Sequence, residues 1–263
     1  MKQKIYQIDA FAENLFEGNP AAVCILESWP DDHWMQQVAM ENNLAETAYL
    51  VPNNGSFEIR WFTPELEVDL CGHATLASAY VLFHYGGVNT EKIEFYSPRS
   101  GPLSVEKGND GLLILDFPAD DIQTIADYPE LSRALGKDPL EIWQGKTDYM
   151  LVYKGQEDIE SMKPDFLALN KVDARGVIVT APGREVDFVS RFFAPQSGIN
   201  EDPVTGSAHT TLIPYWAAKL GKNQLSARQI SKRGGRLHCQ HLPPRVRIGG
   251  NAVLYLIGEI NTN

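Results

Sequence analysis

Phe57-Glu58-Ile59-Arg60-Trp61-Phe62-Thr63-Pro64 runs on through Cys71-Gly72-His73-Ala74-Thr75-Leu76-Ala77 to Tyr80 and Gly86. The same grammar returns later as Val186-Asp187-Phe188-Val189-Ser190-Arg191-Phe192-Phe193-Ala194-Pro195, then Thr205-Gly206-Ser207-Ala208-His209, Tyr215 and Gly221. Arg60 and Arg191 are 131 residues apart, and Gly72 and Gly206 are 134 apart. In a chain of 263 residues that offset is about half the length, so the sequence reads as an internal duplication whose second copy carries three extra residues.

Each copy has a period-2 run rich in aromatic and β-branched residues that stops at a proline, which reads as a strand, and then a glycine turn that opens a helix. The first helix, Gly72 to His84, is apolar nearly all round, which places it inside a curved sheet. The second, Ser207 to Leu220, carries Pro214, where a kink or broken hydrogen bonding is expected.

Outward from these cores, strands are read at Lys4 to Ala10, Ala21 to Leu26, Glu46 to Val51, Lys92 to Tyr96, Leu112 to Phe117, Met150 to Tyr153, Gly176 to Ala181, Arg245 to Ile248 and Ala252 to Ile260. Short polar turns such as Pro52-Asn53-Asn54-Gly55 favour antiparallel pairing. Pro30 and an acidic first turn start a helix from Asp31 to about Asn42. The Asp-rich stretch Ala119 to Asp127 fits a passage between lobes. The fold class expected is α+β, with two pseudo-symmetric lobes, each a curved, mainly antiparallel, barrel-like sheet around a central helix. Residues 1–118, completed by a last strand at 251–263, form the first lobe and residues 119–250 the second.

Composition narrows the function. Hydrophobic residues make up 43% and charged residues 22%, the usage of a folded globular chain. With 34 acidic against 23 basic residues the formal charge is -11, which repels a nucleic acid, and the one dense basic stretch, Ser231 to Arg236, reads as a solvated turn. Cys24, Cys71 and Cys239 are too few and too widely spaced for a disulfide framework. Asp9 interrupts the amino terminus before any signal-like apolar run, and no segment approaches a membrane span. A cytoplasmic protein without a membrane partner is the expectation.

Two duplicated helices can present their amino termini, with unpaired N–H groups, to one cleft that takes a small anion such as a carboxylate. Gly72 and Gly206 permit close backbone approach there, and His73, Thr75 and Ser207 could add donors. The alternative is that the glycines make tight turns and Ser207 caps a helix. Glu46, in the mostly apolar Asn43-Leu44-Ala45-Glu46-Thr47-Ala48-Tyr49-Leu50, is the candidate acid/base, because partial desolvation moves a carboxyl toward neutrality. Asp202, before the second helix, could orient or protonate a substrate. For both acids a strand-end or capping role is the other reading.

Other patterns are weaker. Cys71-x-His73 is half of a metal pair, but no second pair at ligand spacing follows, so no metal is expected. Thr205 to His209 matches neither a phosphate loop nor a nucleophile elbow. His33, His84, His238 and His241 have no partner pattern.

With these residues assembled, the chain resembles the PhzF-like family of phenazine-biosynthesis isomerases, related in fold to diaminopimelate epimerase and proline racemase. The resemblance rests on Asp9-Ala10-Phe11, Gly18-Asn19-Pro20-Ala21-Ala22-Val23, Leu44-Ala45-Glu46-Thr47-Ala48, Phe62-Thr63-Pro64 with Glu67 to Thr75, Glu201 to Ala208, and Gly258-Glu259-Ile260. It implies a diaminopimelate epimerase-like fold with the active site between two lobes. It also implies proton movement on trans-2,3-dihydro-3-hydroxyanthranilate without metal or organic cofactor, and a homodimer. Glu46 matches the proton-shuttling carboxylate; His73, Asp202, Gly206 and Ser207 match positions that bind or orient substrate, with Gly72 and Gly206 as backbone donors. Ala45 departs from the family's usual serine.

Two rival readings stand beside a proton-shifting isomerase acting on a small carboxylate-bearing substrate. One is an amino-acid epimerase or racemase; racemases of this fold use two thiols, and Thr205 stands where the second would be. A hydroxyl is too weakly acidic for that role without an adjacent base. The other is a small-molecule binder without catalysis.

Overall fold

The computed structural model describes residues 2–108 and 110–262. Two compact units divide the chain, one of residues 1–116 with 249–263 and one of residues 117–248.

The first unit holds β1 (Lys2–Ala10), β2 (Asn19–Ile25), α1 (Asp32–Asn42), β3 (Glu46–Asn53), β4 (Ser56–Phe62), β5 (Glu67–Val68), α2 (Gly72–His84), β6 (Lys92–Ser97), β7 (Gly101–Lys107) and most of β8 (Leu113–Pro118). Asp31 starts α1 by accepting the Trp34 N–H at 2.8 Å. Neighbours along the sheet are antiparallel, except β2–β3 and β4–β6. A helix lies between the partners in each of these two cases, as a parallel crossover requires. Ten of the thirteen residues of α2 are buried, with β1, β2, β3 and β7 around it. On the other side of the sheet α1 sets Met35 and Ala39 against Ala22, Cys24, Tyr49 and Phe62. Alternation along β2 thus serves two layers of core.

The second unit adds β9 (Gln123–Ile125), α3 (Pro129–Leu135), β10 (Glu141–Gln144), β11 (Asp148–Val152), α4 (Gln156–Glu160), α5 (Phe166–Leu169), β12 (Gly176–Pro182), β13 (Phe188–Ala194), β14 (Ile199–Asp202), α6 (Ala208–Leu220), β15 (Gln224–Gln229), β16 (Gly235–Leu242) and most of β17 (Arg245–Gly250). The chain then returns to the first unit as β18 (Ala252–Asn261), antiparallel to β1. The acidic stretch at 119–127 is not wholly irregular, since β9 within it pairs with β10. Among the described residues no helix is long and apolar enough to cross a membrane.

The duplication is structural. β10–β11 is antiparallel, β11–β12 parallel, β12–β13 antiparallel, β13–β15 parallel and β15–β16 antiparallel, repeating the order of β1 to β7. The repeat extends to one ion pair. Arg60 donates through Nε and Nη2 to Glu67 at 2.7 and 2.8 Å and stacks on Phe62; Arg191 does the same to Glu201 at 2.7 and 2.9 Å and stacks on Phe193. The sequence separation is 7 in the first copy and 10 in the second. The three extra residues therefore lie between Arg191 and Glu201, where Pro195–Ser197 makes a 3₁₀ turn.

At Pro214 the helical hydrogen bonding is interrupted, as expected, while α6 itself continues to Leu220. A proline cannot donate to the carbonyl four residues back, which here is Thr210. That oxygen instead accepts the Asp120 N–H at 3.1 Å, so the missing bond is replaced from outside the helix.

Candidate active site

In the first unit β3 begins at Glu46 and α2 opens at Gly72, and these two starts bring Glu46 and His73 together. Glu46 Oε2 lies 3.0 Å from His73 Nε2, with the side chains only 13% and 6% exposed. The two atoms are at ion-pair distance yet off the line of a good hydrogen bond, and neither has another partner among the described residues. On the far side of the ring, His73 Nδ1 is 3.1 Å from Asn19 Nδ2 and 3.5 Å from Cys71 Sγ. Asn19 is fully buried and is placed there by Gly18, which has φ +67° and whose added Cβ would sit 2.2 Å from the Ala10 carbonyl oxygen. Only glycine tolerates both conditions.

Burial opposes a charge on His73, but the neighbouring Cys71 sulfur and Glu46 carboxylate outweigh it and hold the imidazole well above its ordinary range. The Cys71 thiol is itself pushed up to about 11, chiefly by burial and further by Glu46. At neutral pH that sulfur is protonated and carries no full charge, so we assign the rise at His73 to Glu46. The three groups lie within 4.8 Å of one another and are each capable of ligating a metal. They converge on the ring of His73 rather than on a common point. Sulfur faces Nδ1 and carboxylate faces Nε2, and one ion can take only one of these nitrogens.

Thr75 does not serve as the donor proposed from its sequence position. It is fully buried, and both its hydroxyl and its N–H are committed to the Cys71 carbonyl oxygen, at 2.6 and 3.1 Å. Gly72 is the first residue of α2 and is buried.

In the second unit Thr205, Gly206 and Ser207 precede α6, as Cys71, Gly72 and His73 mark the start of α2. Asp202, at the end of β14, accepts the Thr205 hydroxyl at 2.5 Å. Gln229, with no exposed surface, accepts the Thr205 N–H at 2.8 Å and donates to the Asp202 carbonyl at 2.8 Å. Ser207 Oγ accepts from Arg175 Nη1 at 2.9 Å. Arg175 in turn holds the buried Asp148 with Nε at 2.9 Å and with Nη2. His33, His84, His238 and His241 belong to neither group of residues.

Sequence reasoning missed four of these residues as contributors. Asn19 lies in a quoted motif but was assigned no role, and its contact with His73 spans 54 residues. Gln229 is 24 residues from Thr205 and Asp148 is 27 from Arg175, separations with no local pattern to reveal them.

A family model described as phenazine biosynthesis-like protein matches residues 8–258. The chain belongs to that family. Within the family, two uncharacterized isomerases of Pseudomonas aeruginosa are 49% and 50% identical to it, each aligned over 99% of this chain and over 100% and 99% of its own. The human phenazine biosynthesis-like domain-containing protein is 38% identical over 99% of both chains. Among solved structures, a PhzF-family phenazine biosynthesis protein from Enterococcus faecalis has 50% identity and a TM-score of 0.96, covering 99% of this chain and 100% of that one. A probable proline racemase from Agrobacterium radiobacter, 10% identical with a TM-score of 0.65 over 99% and 93% of the two chains, shows the shared racemase-type fold. The phenazine biosynthesis-like chain is accordingly an isomerase by class.

Proposed function

We propose that this isomerase shifts a proton on a small carboxylate-bearing substrate of the trans-2,3-dihydro-3-hydroxyanthranilate type, with Glu46 as the general acid and base. The observation that carries the reading is the Glu46–His73 pair. A largely buried carboxylate stands 3.0 Å from a histidine that is held toward its charged form, and among the described residues neither facing atom has another partner. A carboxylate in that setting can take a proton from carbon and, as the neutral acid, return it to another position, while the neighbouring imidazolium orients the group and favours its ionised form before the first transfer and after the second. Gly72, at the start of α2, supplies a backbone donor to the substrate anion. For the second unit, Asp202, Gly206 and Ser207 are proposed as substrate-holding groups on the strength of their place before α6.

The test is proton NMR in heavy water with trans-2,3-dihydro-3-hydroxyanthranilate. The wild-type chain is expected to yield deuterium-labelled isomer, and Glu46→Gln to lose about 10²- to 10⁴-fold in rate. Undiminished labelling by the variant would remove Glu46 from the chemistry.

A further inference from the structure

The two helix starts are one construction carrying opposite charges. In the first copy β3 begins at Glu46, opposite Ala21 of β2; in the second β12 begins at Gly176, opposite Asp148 of β11. The carboxylate has moved across the strand pair. A side chain at 176 would displace the Phe192 ring, because a Cβ there would meet Phe192 Cζ at 2.1 Å. The preceding residue, Arg175, lays its guanidinium over that same ring at 5.4 Å and reaches Ser207. Ser207 follows Gly206 as His73 follows Gly72. The partner of this position is therefore a carboxylate in one copy and a guanidinium in the other.

The consequence is chemical. Asp148 is 3% exposed and grips the guanidinium at two nitrogens, which fixes the direction of the third. Ser207 Oγ receives that third N–H, so its own proton must turn away from Arg175. Among the described residues no acceptor takes it. A hydroxyl that accepts from a cation is also a stronger donor, because hydrogen bonds in a chain polarise one another. Asp202 and Asp120 are the other charged groups that act on Arg175. Both carboxylates are held by threonine hydroxyls, Asp202 by Thr205 and Asp120 by Thr211.

We propose that Arg175, anchored by Asp148, is a positioning residue that sets the Ser207 hydroxyl as a hydrogen-bond donor to an acceptor oxygen of the substrate. The proposal rests on the isomerase reading for the class of ligand.

The experiment measures the affinity of the full chain for 3-hydroxyanthranilate by titration calorimetry, in wild type, Arg175→Lys, Ser207→Ala and the double variant, with a melting curve for each. Lysine keeps a cation on Asp148 but has no fork to reach Ser207. Loss of one hydrogen bond weakens binding about two- to tenfold, so each single variant is expected to fall in that range. The double variant is expected to bind no more weakly than Ser207→Ala alone, a coupling that a merely structural arginine would not produce. Additive losses, unchanged affinity in Arg175→Lys, or no binding by wild type would overturn the proposal. If Arg175→Lys does not fold, the neutral pair Asp148→Asn with Arg175→Gln replaces it in the same cycle. Deuterium incorporation is read separately. Arg175-dependent binding without incorporation keeps the positioning role and discards the isomerase reading; incorporation with affinities equal across the variants does the reverse.

Discussion

Glu46 Oε2 and His73 Nε2 face each other at 3.0 Å across the start of α2, with no better partner for either atom among the described residues. A contact between charged groups contributes about 1.5–3 kcal/mol, which corresponds to about a ten- to hundredfold change in rate where it holds the reacting carboxylate in the orientation that the transition state needs. His73→Asn is expected to lower the rate of deuterium incorporation by that factor, less than Glu46→Gln does. A rate within twofold of wild type would show that the histidine does not support the chemistry.

Cys71 sits beside the same ring, yet burial pushes its thiol up to about 11. Its counterpart, Thr205, donates to Asp202, and an ordinary carboxylate is too weak a base to generate an alkoxide. Cys71→Ala is therefore expected to keep deuterium incorporation within about tenfold of wild type, the loss being one of packing. Abolished exchange at the α-carbon of a chiral amino acid in this variant would instead establish a thiol-based epimerase. Iodoacetamide at pH 7 is expected to leave the folded chain's Cys71 unmodified, read by mass spectrometry.

The repeated Arg–Glu clamps make a prediction about stability. Arg191 and Glu201 are 13% and 21% exposed, and Arg191 also donates to the Ile159 and Met162 carbonyls. Removing one partner of a buried pair costs about 3–5 kcal/mol, and partial exposure reduces that to about 2–4 kcal/mol. Glu201→Gln should lower the urea midpoint by the matching amount with an unchanged slope. Glu67→Gln should cost a similar amount, although Asp32 still holds Arg60.

These clamps also show why part of the molecule was legible in its sequence. Arg60 and Arg191 sit in strand–proline–helix segments of the same grammar, so the duplication could be read from one dimension. The nearly all-apolar α2 could also be read, because burial on almost every side leaves no polar stripe. Glu46 stood out by its apolar neighbours. What could not be read depends on contacts between distant positions: Asn19 with His73, Arg175 with Asp148, Gln229 with Thr205. Thr75 misled because a hydroxyl near a helix start serves a ligand or its own backbone equally well on paper, and here the backbone takes it. Pro214 marked the lost helical bond but not its replacement, because the Asp120 N–H lies outside the helix and far off in sequence. In the second copy α4 and α5 stand in the crossover that α1 fills in the first, and their short, mixed sequences carry no shared pattern.

Gly176 is fixed by packing rather than by backbone angle. A methyl group there would overlap the Phe192 ring at 2.1 Å, and overpacking of this kind costs about 1–3 kcal/mol. Gly176→Ala is expected to lower the melting temperature accordingly, and Gly176→Ala with Phe192→Leu to recover part of the loss. A single variant as stable as wild type would mean that the ring moves freely, and the stacking of Arg175 on it would then carry little.

His209 gives the acid limb of stability. It is fully buried on α6, and burial lowers it from 6.5 to about 4, the Thr205 carbonyl opposing only in part. Nδ1–H donates to that carbonyl at 2.8 Å, and Nε2 has no partner among the described residues. The folded chain thus keeps His209 neutral where the unfolded chain would protonate it. Its contribution is complete above pH 6.5 and is lost as pH falls from there through 4, by about 3 kcal/mol in all. His209→Asn retains a donor for the Thr205 carbonyl and removes the titration. The difference in unfolding free energy between wild type and His209→Asn, measured with urea from pH 7 down to 4, should shrink by that amount as the pH falls. A difference independent of pH would mean that water or a shifted ring solvates His209 in the folded state.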